Sequence, residues 1–151
     1  VYVMDSGMAA ILGASMDAQA SAKNRILVVD AATSHTVGAA LIEGEMAGFF
    51  EYHTCDITIE KLDTLLTDLA DGNLDHQRVL AGGGHGAYTR RAFGFENTEA
   101  IIATGPRRGL LAGSRLSMSF GAPLGDNMMT GTTGLLEAVR IRKGHPPISC
   151  L

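Results

Sequence analysis

The sequence predicts an α/β domain in which three antiparallel strands precede alternating helices and strands. Three observations carry this. A β-branched run, Arg25 to Asp30, is followed by two more strand-like runs joined by short turns. Leucines then recur at helical spacing between Ile59 and Leu69. Short apolar runs and a final helical pattern follow. The 151 residues suit one domain, and 46% hydrophobic against 19% charged residues suits one packed core rather than a disordered chain.

In order along the chain, Asp5 to Ser15 has helix-like spacing with Met8, Ile11 and Leu12 on one edge, and Met16 to Asn24 is small and polar, as in a linker. Arg25-Ile26-Leu27-Val28-Val29-Asp30 reads as a buried strand ending in an acid. Ala31 to Ser34 is a turn, Thr36 to Ile42 a second strand, Glu43-Gly44-Glu45 a hairpin turn and Met46 to His53 a third strand. Ile59, Leu62, Leu65, Leu66 and Leu69 share one helical face; Asp56 or Thr58 caps its start and Gly72 stops it. Gln77 to Ala81 reads as a strand running into Gly82-Gly83-Gly84-His85-Gly86, and Ala100 to Thr104 as another. A last helix spans about Asp126 to Lys143, with Gly144 as its stop. Its expected buried face is Met128, Met129, Thr132, Leu135, Leu136 and Val139. Gly131 and Gly134 weaken it by about 1 kcal/mol each relative to alanine, but permit close backbone approach. Three antiparallel strands followed by helix and strand in alternation is the order of the ribonuclease H-like fold.

The net charge of −4 offers no basic surface for nucleic acid, and no apolar run reaches the roughly 18 residues of a membrane span. We expect a cytoplasmic protein whose two cysteines, Cys55 and Cys150, stay reduced, although the sequence leaves their pairing open.

Several motifs carry candidate chemistry. Asp30 at a strand end, before the small turn Ala31 to Ser34, suits Mg²⁺ or its bound water. The turn amides with Thr33, Ser34 and Thr36 suit phosphate oxygens, and His35 suits a phosphate donor or an acid/base group. Asp30 and His35 are thus the catalytic candidates, with Asp30 also the metal candidate. Gly82, Gly83, Gly84 and Gly86 let backbone approach a ligand, and His85 stands among them. Arg107, in Thr104-Gly105-Pro106-Arg107-Arg108, suits an anion. In Gly121 to Gly131, Asp126 more simply caps a helix. His53 with His35 and His85 offers a metal set, but the spacing lacks any helical or knuckle signature.

Taken together, the hairpin at Asp30 to Thr36, Glu51-Tyr52-His53-Thr54, Gly82 to Tyr88, Ala103 to Arg108 and Gly125 to Gly131 resemble a prokaryotic family. Its members often carry the label "putative pyruvate formate-lyase activating enzyme". That family is similar to the two-lobed actin, sugar kinase and heat-shock chaperone ATPase superfamily. The resemblance implies that residues 25–151 form a ribonuclease H-like C-terminal lobe. Residues 1–24 would then be a helix and linker arriving from a preceding lobe, with Asp5-Ser6-Gly7 the tail of the crossing segment. It implies that Asp30 to Thr36 is the second phosphate-binding hairpin and Gly82 to Ala87 the adenosine-side turn. The implied cofactor is Mg²⁺ with ATP or ADP. The implied partners are the N-terminal lobe of the same protein and a small-molecule substrate; with 19 glycines and the cleft face of a lone lobe exposed, self-association into a homo-oligomer is also expected. Ala31 and Ala32 stand where that superfamily's hairpin is richer in glycine.

The family label itself names a radical enzyme using S-adenosylmethionine and a [4Fe–4S] cluster on three cysteines. Two cysteines do not supply that set, so no iron–sulfur cluster is expected. The leading reading is a nucleotide- or phosphate-handling lobe of an ATPase or small-molecule kinase. The alternatives are a non-catalytic binding or assembly module on the same fold, and a metal-dependent hydrolase or nuclease. The last would need carboxylates such as Glu51 or Asp126 near Asp30.

Overall fold

The computed structural model describes residues 1–147; Cys150 and any pairing of its thiol lie outside them. The β-branched run builds β1 (Arg25–Ala31), which pairs antiparallel with β2 (His35–Ile42), as β2 does with β3 (Glu45–His53). Helix α2 (Ile59–Asp71) buries Leu62, Leu66 and Leu69. Thr58 rather than Asp56 caps it, accepting from Lys61 N at 3.2 Å, and Gly72 closes it in the left-handed conformation at φ 76°.

The next segment differs from expectation. Gln77 to Ala81 is not a strand but most of a short helix, α3 (His76–Ala81), started by Asp75, whose carboxylate accepts from Arg78 N at 2.7 Å. A run this short has no readable period, and Val79 and Leu80 alone suggested a strand. The strand is instead the glycine segment itself, β4 (Gly84–Thr89), antiparallel to β3. Gly84 lies so close beneath Tyr52 and Val79 that a Cβ would overlap both, at 2.8 and 2.6 Å. Close packing therefore selects glycine where strand propensity disfavours it.

β5 (Ala100–Thr104) pairs parallel to β1, and the two-residue β6 (Ser119–Phe120), not foreseen, pairs parallel to β5. The result is one mixed six-stranded sheet in the order β4-β3-β2-β1-β5-β6. Alternation sends Leu27, Val29 and Ala31 to the α2 face, and Ile26 and Val28 to the face covered by α1 (Ser6–Ser15).

α4 (Thr130–Lys143) packs on α1. The crossing is a backbone-to-backbone seam: a Cβ on Gly13 would overlap the Thr130 carbonyl, and one on Gly134 the Ala9 carbonyl. Gly134 thus does what its presence suggested, whereas Gly131 has nothing within 4 Å. The expected buried face of α4 is not buried. Thr130, Thr133 and Gly134 face inward, while Met128, Leu135 and Leu136 are exposed. The seam accepts only small residues, so it turns the leucines outward.

Residues 16–24 are no free linker. Asp17 and Ala20 are buried, and the Asp17 carboxylate accepts from Ala122 N at 2.8 Å. Among the described residues no helix is long and apolar enough to cross a membrane.

Candidate functional site

Asp30 stands next to last in the central strand β1, beside its parallel neighbour Thr104. Parallel strands leave a crevice beyond their carboxyl ends, and ligands bind there in open α/β sheets. A cleft of about 400 Å³ occupies this position, lined among others by Asp5, Ser6, Asp30, Thr33, Ser34, His35 and Glu51. A second recess of about 180 Å³ shares Ser6, Asp30, Ala32 and Pro106 with it, so Asp30 stands between the two. Its side is closed by Gly105 at φ 95°, where a Cβ would come 2.5 Å from the Asp30 carboxylate. Asp30 is 6% exposed, and burial, with Asp5 adding to it, raises its pKa to about 6.

The turn after Asp30 is held by hydrogen bonds. Ala32 N donates to His35 O at 3.1 Å, and Thr54 N to Ser34 O at 2.8 Å. Thr54 Oγ1 donates to Ala32 O at 2.8 Å, so Thr36 Oγ1 donates across the strands to Thr54 at 3.0 Å. Thr36 is thereby fixed in the interior on the α2 side, away from the cleft that Thr33, Ser34 and His35 line.

Three histidines meet at the cleft's edge. His35 and His53 are cross-strand partners, hence on one face. On β4, Gly84 pairs with Tyr52 and Gly86 with Glu51, leaving His85 in an irregularity of the register beside Gly86 at φ 139°. This bulge turns His85 to the same face. The His35 ring centroid lies 4.8 Å from each of the other two, and those two are 4.3 Å apart. His53 Nε2 and His85 Nε2 hydrogen-bond at 2.9 Å, and His85 Nδ1 lies 3.8 Å from Glu51 Oε1.

The remaining candidates lie elsewhere. Gly82 sits on the α2 face, where its carbonyl accepts from Lys61 Nζ at 2.6 Å. Gly83 is open to solvent at φ 87°, and Gly86 packs on the His76 ring. Arg107 lines a recess of about 510 Å³ with Thr36, Thr54 and Leu111. Its backbone N–H donates to Ala31 O at 2.9 Å. Asp126 caps the turn before α4, accepting from Met128 N at 2.8 Å. Asn127 donates to Gly121 O at 2.5 Å and to Thr104 Oγ1 at 3.2 Å, tying that turn to β5. Thus Asp30, Thr33, Ser34 and His35 come together, His85 meets His35 at the cleft's edge, and Thr36, Gly82, Gly83, Gly84, Gly86 and Arg107 do not line the cleft. Asp5, Glu51 and His53 carry weak sequence signals: the two-residue turn at Glu43 and Gly44 alone would set His35 opposite Tyr52, and only the bulge at Ala40 and Leu41 moves the register to His53.

Residues 1–110 match the model of the family described as "Putative pyruvate format-lyase activating enzyme (DUF1786)". The chain belongs to that family. No curated protein matches its sequence. A solved structure described as "Alp12 filament structure" is similar at a TM-score of 0.48 and 12% identity, over 91% of this chain and 53% of that one. The chain therefore spans about half the length of that protein. The family's descriptive name implies a cluster on three thiolates. This chain has two cysteines, and Cys55 is exposed, so it does not fit such a cluster on its own.

Proposed function

We propose that this chain is a nucleotide- or phosphate-binding lobe of a two-lobed, actin-like protein built on the ribonuclease H-like fold. The observation that carries the reading is the position of Asp30. It is a buried acid at the carboxyl end of the central strand, where an antiparallel meander meets a parallel pair and a cleft opens. Three carboxylates, Asp5, Asp30 and Glu51, line that cleft, so a bare phosphate is disfavoured there and a Mg²⁺–phosphate complex is not. Asp30 would hold the ion directly or through water. Thr33 and Ser34 would face phosphate oxygens, and catalysis in the complete protein would rest on positioning and charge. The alanines at 31 and 32 narrow the approach compared with glycine, which leaves the choice of nucleotide open.

Backbone chemical shifts recorded during titration with Mg·ADP and Mg·ATP test this. Changes centred on Asp5 to Gly7 and Asp30 to His35, lost in Asp30→Ala, are expected. In the full-length protein the same substitution should abolish nucleotide turnover without unfolding the chain. No shift at millimolar nucleotide, or turnover unchanged by Asp30→Ala, overturns the reading.

One observation favours an assembly role as well. Leu135 and Leu136, neighbours on the outer side of α4, are 40% and 53% exposed. An apolar face of this kind fits contact with another lobe or another copy. Leu136→Glu is expected to shift a self-associating sample towards monomer in light scattering; an unchanged mass argues against that face.

A further inference from the structure

We propose that His35, His53 and His85 bind one transition-metal dication of the zinc class, with Glu51 as the carboxylate partner of His85. The inference stands apart from the nucleotide reading, since it requires no nucleotide. Each histidine offers one ring nitrogen, and the three donor atoms lie within 4.8 Å of one another. A tetrahedral zinc with nitrogens at about 2.0–2.1 Å sets them roughly 3.3 Å apart. His53 Nε2 and His85 Nε2 lie 2.9 Å apart, hydrogen-bonded to each other, and with His35 and His53 half-buried and His85 exposed, small ring rotations open that pair around an ion.

Two further features fit a ligand site better than a chance cluster. The bulge in β4 brings His85 to the other two, and bulges recur where a strand must re-aim one side chain. With Nε2 given to the metal, His85 Nδ1 faces Glu51, 3.8 Å away, in the carboxylate–histidine–metal order common at such centres. Three neutral imidazoles select zinc-, cobalt- or nickel-like ions over Mg²⁺ and Ca²⁺, which want oxygen ligands. Three protein ligands leave a fourth position for water or a substrate atom, as at catalytic rather than structural zinc. His35 and Glu51 also line the Asp30 cleft, so the open position borders it.

The test is Co²⁺ titration of the full-length protein, stripped with chelator and carrying no histidine tag, followed by Zn²⁺ competition and metal analysis. One ion per chain is expected, with the intense visible ligand-field bands of tetrahedral Co²⁺. Glu51→Gln should weaken binding by about 10–100-fold, and His53→Ala by more. His85→Ala, on the exposed edge strand, gives the same answer should His53→Ala fail to fold. His145→Ala, remote in sequence, should change nothing. No Zn²⁺ or Co²⁺ binding at millimolar ion, octahedral Co²⁺ only, or equal loss in His145→Ala overturns the proposal.

Discussion

Gly134→Ala is expected to lower the melting temperature by several degrees, while Gly131→Ala, three residues earlier on the same helix, raises it. A Cβ at 134 meets the Ala9 carbonyl and stands 2.6 Å from Gly13 N. These are backbone atoms of a helix and cannot rotate aside, so α1 and α4 must separate and disturb Ile11 and Ala14 beneath them. Overpacking of this kind costs about 1–3 kcal/mol and sometimes more, against a gain of about 1 kcal/mol in helix propensity. With the Cβ overlapping the Ala9 carbonyl oxygen the cost sits at the top of that range, so we expect a net loss of roughly 2 kcal/mol, or about 4–8 °C for a chain of this size. Gly131 has open space around it, so alanine there keeps the propensity gain, up to about 1 kcal/mol and 2–4 °C. Equal melting temperatures for the two variants would mean that the helices do not cross at Gly13 and Gly134.

Asp30→Asn is expected to stabilise the protein at neutral pH and to leave it nearly unchanged near pH 4. The folded chain holds the Asp30 proton more tightly than the unfolded chain, its pKa moving from 3.8 to about 6. The stability this group contributes is thus fully present below about pH 4 and is lost as pH rises through about 6. At pH 7.5 the buried carboxylate costs about 3 kcal/mol, a cost its neutral isostere avoids. Urea denaturation at pH 4.5 and pH 7.5 reads the difference directly; an equal effect at both pH values would refute it. A carboxylate kept at such a cost is consistent with the ion-binding role proposed for Asp30.

The parts of the fold set by local chemistry were legible beforehand. Val28-Val29-Asp30 is strand-like on its own, and the α2 leucines declare their face without help. The parts set by tertiary contact were not. β4 is a strand because Gly84 fits under Tyr52, and the α4 leucines point outward because two glycines occupy the seam. The site divides the same way. Asp30, Thr33, Ser34 and His35 follow one another in a single turn and were readable as a group. His53 and His85 join them only through strand register and a bulge, which no short motif encodes.

The seam between the first and last helices also bears on where the domain ends. The family match stops at residue 110, yet the helix that packs against Ala9 and Gly13 begins at Thr130. A boundary drawn at the end of the matched segment would leave α1 with its glycine groove open and β5 without its neighbour β6. Residues 119–143 are thus no appendage: the unit that packs together is longer than the segment that the shared pattern delineates.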